Sequence, residues 1–191
     1  MSKPTTITLA SFTASGASGI VTIEWTIGDG KAPAGFHVLR SLSPGGKLER
    51  LTAAPITATQ NVYRFTDRKT EVNVTYYYRL EDVNTGERFG PIAFKIEPPR
   101  VFSLSQNTPN PFNPTTTIRY ELPEPGQVVL KVYNLLGQEV RTLVDTYQEA
   151  GFHTVIWDGR NEAGRSISSG VYFYRLTAGQ FSGTKKMLMV K

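Results

Sequence analysis

Residues Asn107–Thr117 read NTPNPFNPTTT. Pro109, Pro111 and Pro114 each fix φ and lack an N–H, while Asn107, Asn110 and Asn113 favour turn geometry, so no regular element starts inside the stretch. Directly after it the pattern alternates: Ile118, Tyr120 and Leu122 fall on one side, Thr117, Arg119 and Glu121 on the other. That is the signature of a strand with one buried face. The stretch therefore reads as a rigid lead-in to a second β-domain, with Pro109, Asn110, Pro111, Phe112 and Pro114 as its opening motif.

Downstream, alternation continues. Gln127–Tyr133 turns Val128, Leu130 and Val132 inward and Lys131 and Tyr133 outward. A turn over Asn134–Gly137 leads to a strand at Glu139–Val144. Phe152–Trp157 would bury His153, Val155 and Trp157, and Asp158–Gly164 is a loop. Gly170–Leu176 buries Tyr172, Tyr174 and Leu176, and the turn Ala178-Gly179-Gln180 leads to a last strand, Phe181–Lys191. No long helical pattern is present.

Upstream, short strands are expected at Thr6–Thr13, Ile20–Ile27, Phe36–Ser41, Lys47–Ala53, Val62–Asp67, Tyr76–Val83 and Arg88–Ile96. Breaks fall at Gly28-Asp29-Gly30 with Ala32-Pro33, at Ser43–Gly46 and at Asn84-Thr85-Gly86. Val21, Ile23, Trp25 and Ile27 share one face of the second strand. Trp25 and the run TYYYRLED resemble fibronectin type III positions, with Tyr76 as the corner tyrosine whose hydroxyl ties to upstream backbone. Glu97-Pro98-Pro99-Arg100 is a short, semi-rigid polyproline spacer, and Val101–Ser105 after it can pair with the edge of either domain. The expected architecture is all-β: a fibronectin type III-like sandwich over 1–97, a linker over 98–104 and an Ig-like sandwich over 105–191.

Composition narrows the chemistry. The 191 residues allow two domains of ordinary size, and nine tyrosines and ten phenylalanines suit pleated sheets. There is no cysteine, which excludes disulfides, thiolate catalysis and cysteine-ligated metals. The net charge of +5 is scattered through both halves, without the basic stripe that nucleic acid demands. No apolar run is long enough to span a bilayer as a helix, and MSKPTTITLASFTASG has no apolar core of a signal peptide.

No catalytic constellation stands out. His37, between Phe36 and Val38, faces solvent, and His153 is a half-buried structural residue. No serine lies in a Gly-x-Ser-x-Gly elbow. Asp158–Gly164 carries oxygen ligands but lacks calcium-loop spacing and includes Arg160, so Asp158 and Asn161 are read as making Asx-type backbone bonds in a tight connection. Tyr77, Tyr133 and Phe173 face outward and make glycan binding a weaker alternative. The chain is expected to be non-enzymatic, with no cofactor and no metal.

The blocks PNPFNPTTTIRYELPEPGQVVLKVYNLLGQEVRTLV, GFHTVIWDGRNEAGRSISSGVYFYRLTAG and KKMLMVK, in this order over about residues 104–191, resemble the type A C-terminal sorting domain of type IX secretion substrates. That family is similar to the Ig-like domain of the flagellar hook-capping protein. The resemblance implies a non-catalytic C-terminal region of a secreted or cell-surface protein, recognised by the type IX outer-membrane machinery, with the first sandwich as a spacer. It carries machinery recognition onto Gly170, Tyr172, Lys185 and Lys186, on a terminal strand whose unpaired backbone would suit β-augmentation. The alternative, from another class, is an extracellular structural or adhesive filament protein that self-associates through edge strands.

Overall fold

A computed structural model describes residues 7–17, 19–28, 34–57 and 61–191. The expected start at Thr6 and the breaks at Asp29-Gly30 and Ala32-Pro33 lie outside the described residues. Every regular element among those described is a strand. The chain divides into two compact units, Met1–Glu97 and Pro98–Lys191.

The first unit holds β1 (Leu9–Ala17), β2 (Ile20–Ile27), β3 (Phe36–Ser41), β4 (Glu49–Arg50), β5 (Val62–Asp67), β6 (Thr75–Asp82) and β7 (Arg88–Lys95). They form two antiparallel sheets, ordered β1-β2-β5 and β4-β3-β6-β7, a fibronectin type III-like sandwich. Alternation decides the buried faces: Val21, Ile23 and Trp25 from one sheet meet Phe36, Val38, Tyr78 and Leu80 from the other. Trp25 stacks on Tyr63 at 5.4 Å and meets Phe36 edge-on at 5.8 Å. The Tyr76 hydroxyl accepts from the Glu71 N–H at 3.1 Å, the corner bond to upstream backbone expected from the sequence.

Two expectations for this unit are corrected. The strand read at Lys47–Ala53 shrinks to Glu49–Arg50, because the Val38 N–H donates to the Thr52 hydroxyl instead of a backbone carbonyl and the ladder stops. His37 points away from the side of Phe36 and Val38, as expected, but is only partly open to solvent: it is half-buried, with Nδ1 2.9 Å from the same Thr52 hydroxyl. Asp67, itself buried, accepts from the Arg40 guanidinium at 2.8 Å and the Tyr78 hydroxyl at 3.0 Å. The ion pair lends a buried carboxylate the partners it requires.

The second unit holds β8 (Ser103–Leu104), β9 (Thr116–Leu122), β10 (Gly126–Tyr133), β11 (Glu139–Gln148), β12 (Gly151–Trp157), β13 (Gly170–Ala178) and β14 (Phe181–Met189). A sheet ordered β12-β9-β8 faces one ordered β11-β10-β13-β14. Ile118, Tyr120 and Leu122 from β9 pack against Val128, Leu130 and Val132 from β10 and Tyr174 and Leu176 from β13. Ser103–Leu104, read from the sequence as linker, pairs with Glu121 and Tyr120. β11 runs four residues beyond Val144, past a bulge at Leu143 where Lys131 pairs Thr142 and Leu130 pairs Val144. In β12 only Trp157 of the expected buried set is fully buried, since β12 is the outer strand of its sheet and His153 and Val155 are covered from one side only. His153 stacks on Tyr120 at 5.3 Å and bonds the Glu149 carbonyl through Nε2 at 2.9 Å.

Candidate functional site

The separate sequence blocks of the second unit meet at one end of its sandwich. Phe112 is 1% exposed and packs on Trp157 at 5.5 Å, and Trp157 meets Tyr172 edge-on at 6.1 Å. Trp157 Nε1 donates to the Arg160 carbonyl at 2.9 Å. Gly159, at φ 68°, lies beneath Pro114, where a Cβ would come 2.7 Å from the Pro114 carbonyl oxygen and 3.2 Å from the Met189 side chain. Only glycine fits a left-handed position under such a close approach. The next loop residues behave as read from the sequence: Asp158 Oδ1 accepts from the Arg160 N–H, and Asn161 Oδ1 from the Arg165 N–H.

The opening motif does more than lead into β9. On the side of β14 away from β13, Gln106 Nε2 donates to the Lys186 carbonyl at 2.7 Å. The Leu188 N–H donates to Asn110 Oδ1 at 2.9 Å. Phe112 donates its N–H to the Leu188 carbonyl and accepts from the Val190 N–H, both at 3.0 Å. Four outward backbone groups between Lys186 and Val190 thus have partners. This corrects the expectation of a terminal strand with unpaired backbone there: the proline-rich stretch stands in for a neighbouring strand and blunts the edge.

A buried polar knot holds that latch in place. Asn107 is 2% exposed; its Nδ2 donates to the Pro109 carbonyl at 3.0 Å and to Thr116 Oγ1 at 2.9 Å. Its N–H donates to the Tyr174 hydroxyl, which donates in turn to the Ser105 carbonyl, both at 2.8 Å. Burial pushes the Tyr174 phenol up to about 12. Sequence reading placed Tyr174 in the core and Asn107 in a turn, without the bond that joins them.

The four residues singled out by resemblance do not form one surface. Gly170 is half-buried opposite Met189, and Tyr172 is a core residue whose hydroxyl donates to the Ser168 carbonyl at 2.9 Å. Lys185 and Lys186 are exposed but adjacent on a strand, so they point to opposite faces. Lys186 shares the outer face with Phe173, its register partner, while Lys185 lies on the side of Met187. Of the opening motif, Phe112 fills the core, Asn110 binds β14 and Pro114 covers Gly159.

That outer face carries residues the sequence reading only half identified. Tyr133 and Phe173, both read as outward, are cross-strand partners. With Asn134, Leu135, Gly137, Arg175 and Thr184 they line a hollow of about 300 Å³. The Arg175 guanidinium sits over the Tyr133 ring at 5.5 Å. Beside the hollow, the Asn134–Gly137 turn leaves Leu135 68% and Leu136 82% exposed. A dipeptide LL between turn residues was the available signal. Tyr77, the third outward aromatic, belongs to the first unit. The two histidines lie in different units, each bonded to a neighbour. Among the described residues no cluster of three or more His, Asp or Glu could hold a metal ion, and no helix is long and apolar enough to cross a membrane.

Residues 107–181 match the model of the FlgD Ig-like domain. The match is less than half of the chain; it begins at the buried Asn107 and ends where β14 begins. No curated protein matches the chain in sequence. Among solved structures, dimeric latent PorU from Porphyromonas gingivalis is similar at 14% identity and TM-score 0.40, over 96% of this chain and 20% of PorU. The FN1–FN3 domains of chicken CNTN1 are similar at 15% identity and TM-score 0.37, over 95% of this chain and 64% of theirs. PorZ, described as an essential bacterial surface component of the type-IX secretion system of Porphyromonas gingivalis, is similar at 11% identity and TM-score 0.34, over 93% of this chain and 36% of PorZ. The chain thus spans a fifth of PorU and just under two thirds of the CNTN1 segment.

Proposed function

We propose that this chain is the non-catalytic C-terminal region of a protein exported to the cell surface or medium, with the second unit as the sorting domain of a type IX secretion substrate and the first as its spacer. The observation that carries the reading is the convergence of the blocks. Phe112 and Pro114, Trp157 and Gly159, Tyr172 and Met189 come from four stretches scattered over the second unit and pack into one end of one sandwich. The blocks that resemble the sorting family are therefore one structural device, and the FlgD Ig-like match falls on the same stretch. The device closes on the last strand, through the bonds of Gln106, Asn110 and Phe112 to β14.

The filament alternative loses one of its edges, because β14 is latched from Lys186 to Val190, and strand addition would have to use another outer strand such as β11 or β12. Export of a reporter tests the reading. A signal peptide and a fluorescent protein are fused ahead of the whole chain in a type IX-competent host and in its type IX-deficient derivative. Fluorescence reaching the surface or medium in the first host alone is the expected result. Retention of the folded fusion in the periplasm of both hosts overturns it.

A further inference from the structure

The Leu135–Leu136 turn and the outer face of β13 and β14 form a surface on which Lys186 alone, of the four positions singled out by resemblance, pairs outward with Phe173. Two consecutive leucines at a hairpin tip are 68% and 82% exposed, beside a hollow of about 300 Å³ walled by Tyr133, Phe173 and Arg175. Scattered single apolar residues are ordinary on a surface; contiguous ones beside a concavity mark a contact site. The hollow supplies the pocket that an apolar anchor needs.

Charge selects the occupant. Lys131 is balanced by Glu139 at 2.9 Å, and Asp145, farther along the face, accepts from Gln127. Arg175 and Lys186, next to the hollow, have no carboxylate partner among the described residues. The uncompensated charge at the rim is therefore positive. A second copy of this chain would set the same two cations against each other across a two-fold axis. An anionic lipid surface would gain only about 1 kcal/mol from each basic residue and has no use for a concavity. A sugar ring is disfavoured because Arg175 already covers the Tyr133 face.

We infer that the hollow between the Leu135–Leu136 turn and Phe173 docks a protein segment carrying apolar side chains next to a carboxylate, the carboxylate pairing with Arg175 and Lys186. On the export reading, on which this rests, that segment belongs to the secretion machinery, and the recognised residues are Leu135, Leu136, Phe173, Arg175 and Lys186 in place of the buried Tyr172.

The test uses the full chain in the reporter fusion. Leu135→Ser with Leu136→Ser, and separately Arg175→Glu with Lys186→Glu, are compared with Ile156→Ser, an equally exposed apolar residue on the other sheet. Each purified variant is first checked for an unchanged urea midpoint. Export reduced by about tenfold or more in both face variants, as for loss of interface anchors, with Ile156→Ser unaffected, is the expected result. Normal export of both face variants, with the intact chain exported, overturns the docking surface and leaves the sorting reading standing. An intact chain that is not exported overturns both. The purified chain is also sedimented alone and with phosphatidylglycerol vesicles. Self-association or vesicle binding that disappears in Leu135→Ser/Leu136→Ser assigns the face to a second copy or to lipid, and overturns docking of a secretion-machinery segment there.

Discussion

Tyr174 joins the two halves of the second unit's architecture through one oxygen, which donates to the Ser105 carbonyl and accepts from the Asn107 N–H. Tyr174→Phe leaves the N–H of the buried Asn107 without its partner and takes the hydroxyl from the part-buried Ser105 carbonyl, a loss of about 1–3 kcal/mol in chemical denaturation of the second unit. The same phenol has a pH signature. Its folded pKa of about 12, raised by burial from the ordinary 10.0, favours the neutral form. The corresponding stability is complete below pH 10 and is lost as pH rises through about 12. A urea-midpoint series across that window should fall for the natural chain and fall less for Tyr174→Phe. Equal alkaline slopes would remove Tyr174 as a source of the effect. Gly159 is the other decisive single residue: Gly159→Ala forces a side chain into a left-handed position 2.7 Å from a carbonyl oxygen. It should cost more than about 1 kcal/mol by the same denaturation measurement.

Among elements, β14 depends on the stretch that precedes β9. Asn110→Ala removes the acceptor for the Leu188 N–H and leaves Phe112 in the core. Hydrogen exchange at Leu188 should accelerate about fivefold, the equivalent of one hydrogen bond's net ~1 kcal/mol, while Met187, whose partner is Tyr172 in β13, keeps its protection. Acceleration along all of β14 would mean that the latch and the strand open as one. Among the strands themselves, Ile20–Ile27 was legible to the residue, because its strict alternation is a local signal. Lys47–Ala53 was not. Its pairing ends where the Thr52 hydroxyl takes the Val38 N–H, a substitution invisible to periodicity.

For the whole molecule, the second unit has its own core, its own two sheets and its own latch. Residues 98–191 expressed alone should therefore unfold in a single cooperative transition by calorimetry. A broad, non-cooperative melt would show that the unit needs the first one to fold. Cutting at residue 105 instead removes Phe102, stacked on Phe181 at 5.4 Å, and Ser103–Leu104, which pairs with β9. That shorter fragment should melt at a lower temperature.

The sequence by itself determined the all-β class, the order of the strands and the inward faces of most of them, since a period of two is written in neighbouring residues. It also marked the proline–asparagine stretch as the start of the second unit and identified Tyr133 and Phe173 as outward. Only the tertiary structure decided what those features do. Asn110 finds its partner 78 residues away in Leu188, and Asn107 finds Tyr174 at a separation of 67. Hydrogen bonds over such distances leave no local pattern. For the same reason resemblance could point to Gly170, Tyr172, Lys185 and Lys186 as a set, while the pleat of β13 and β14 put Tyr172 inside and the two lysines on opposite faces.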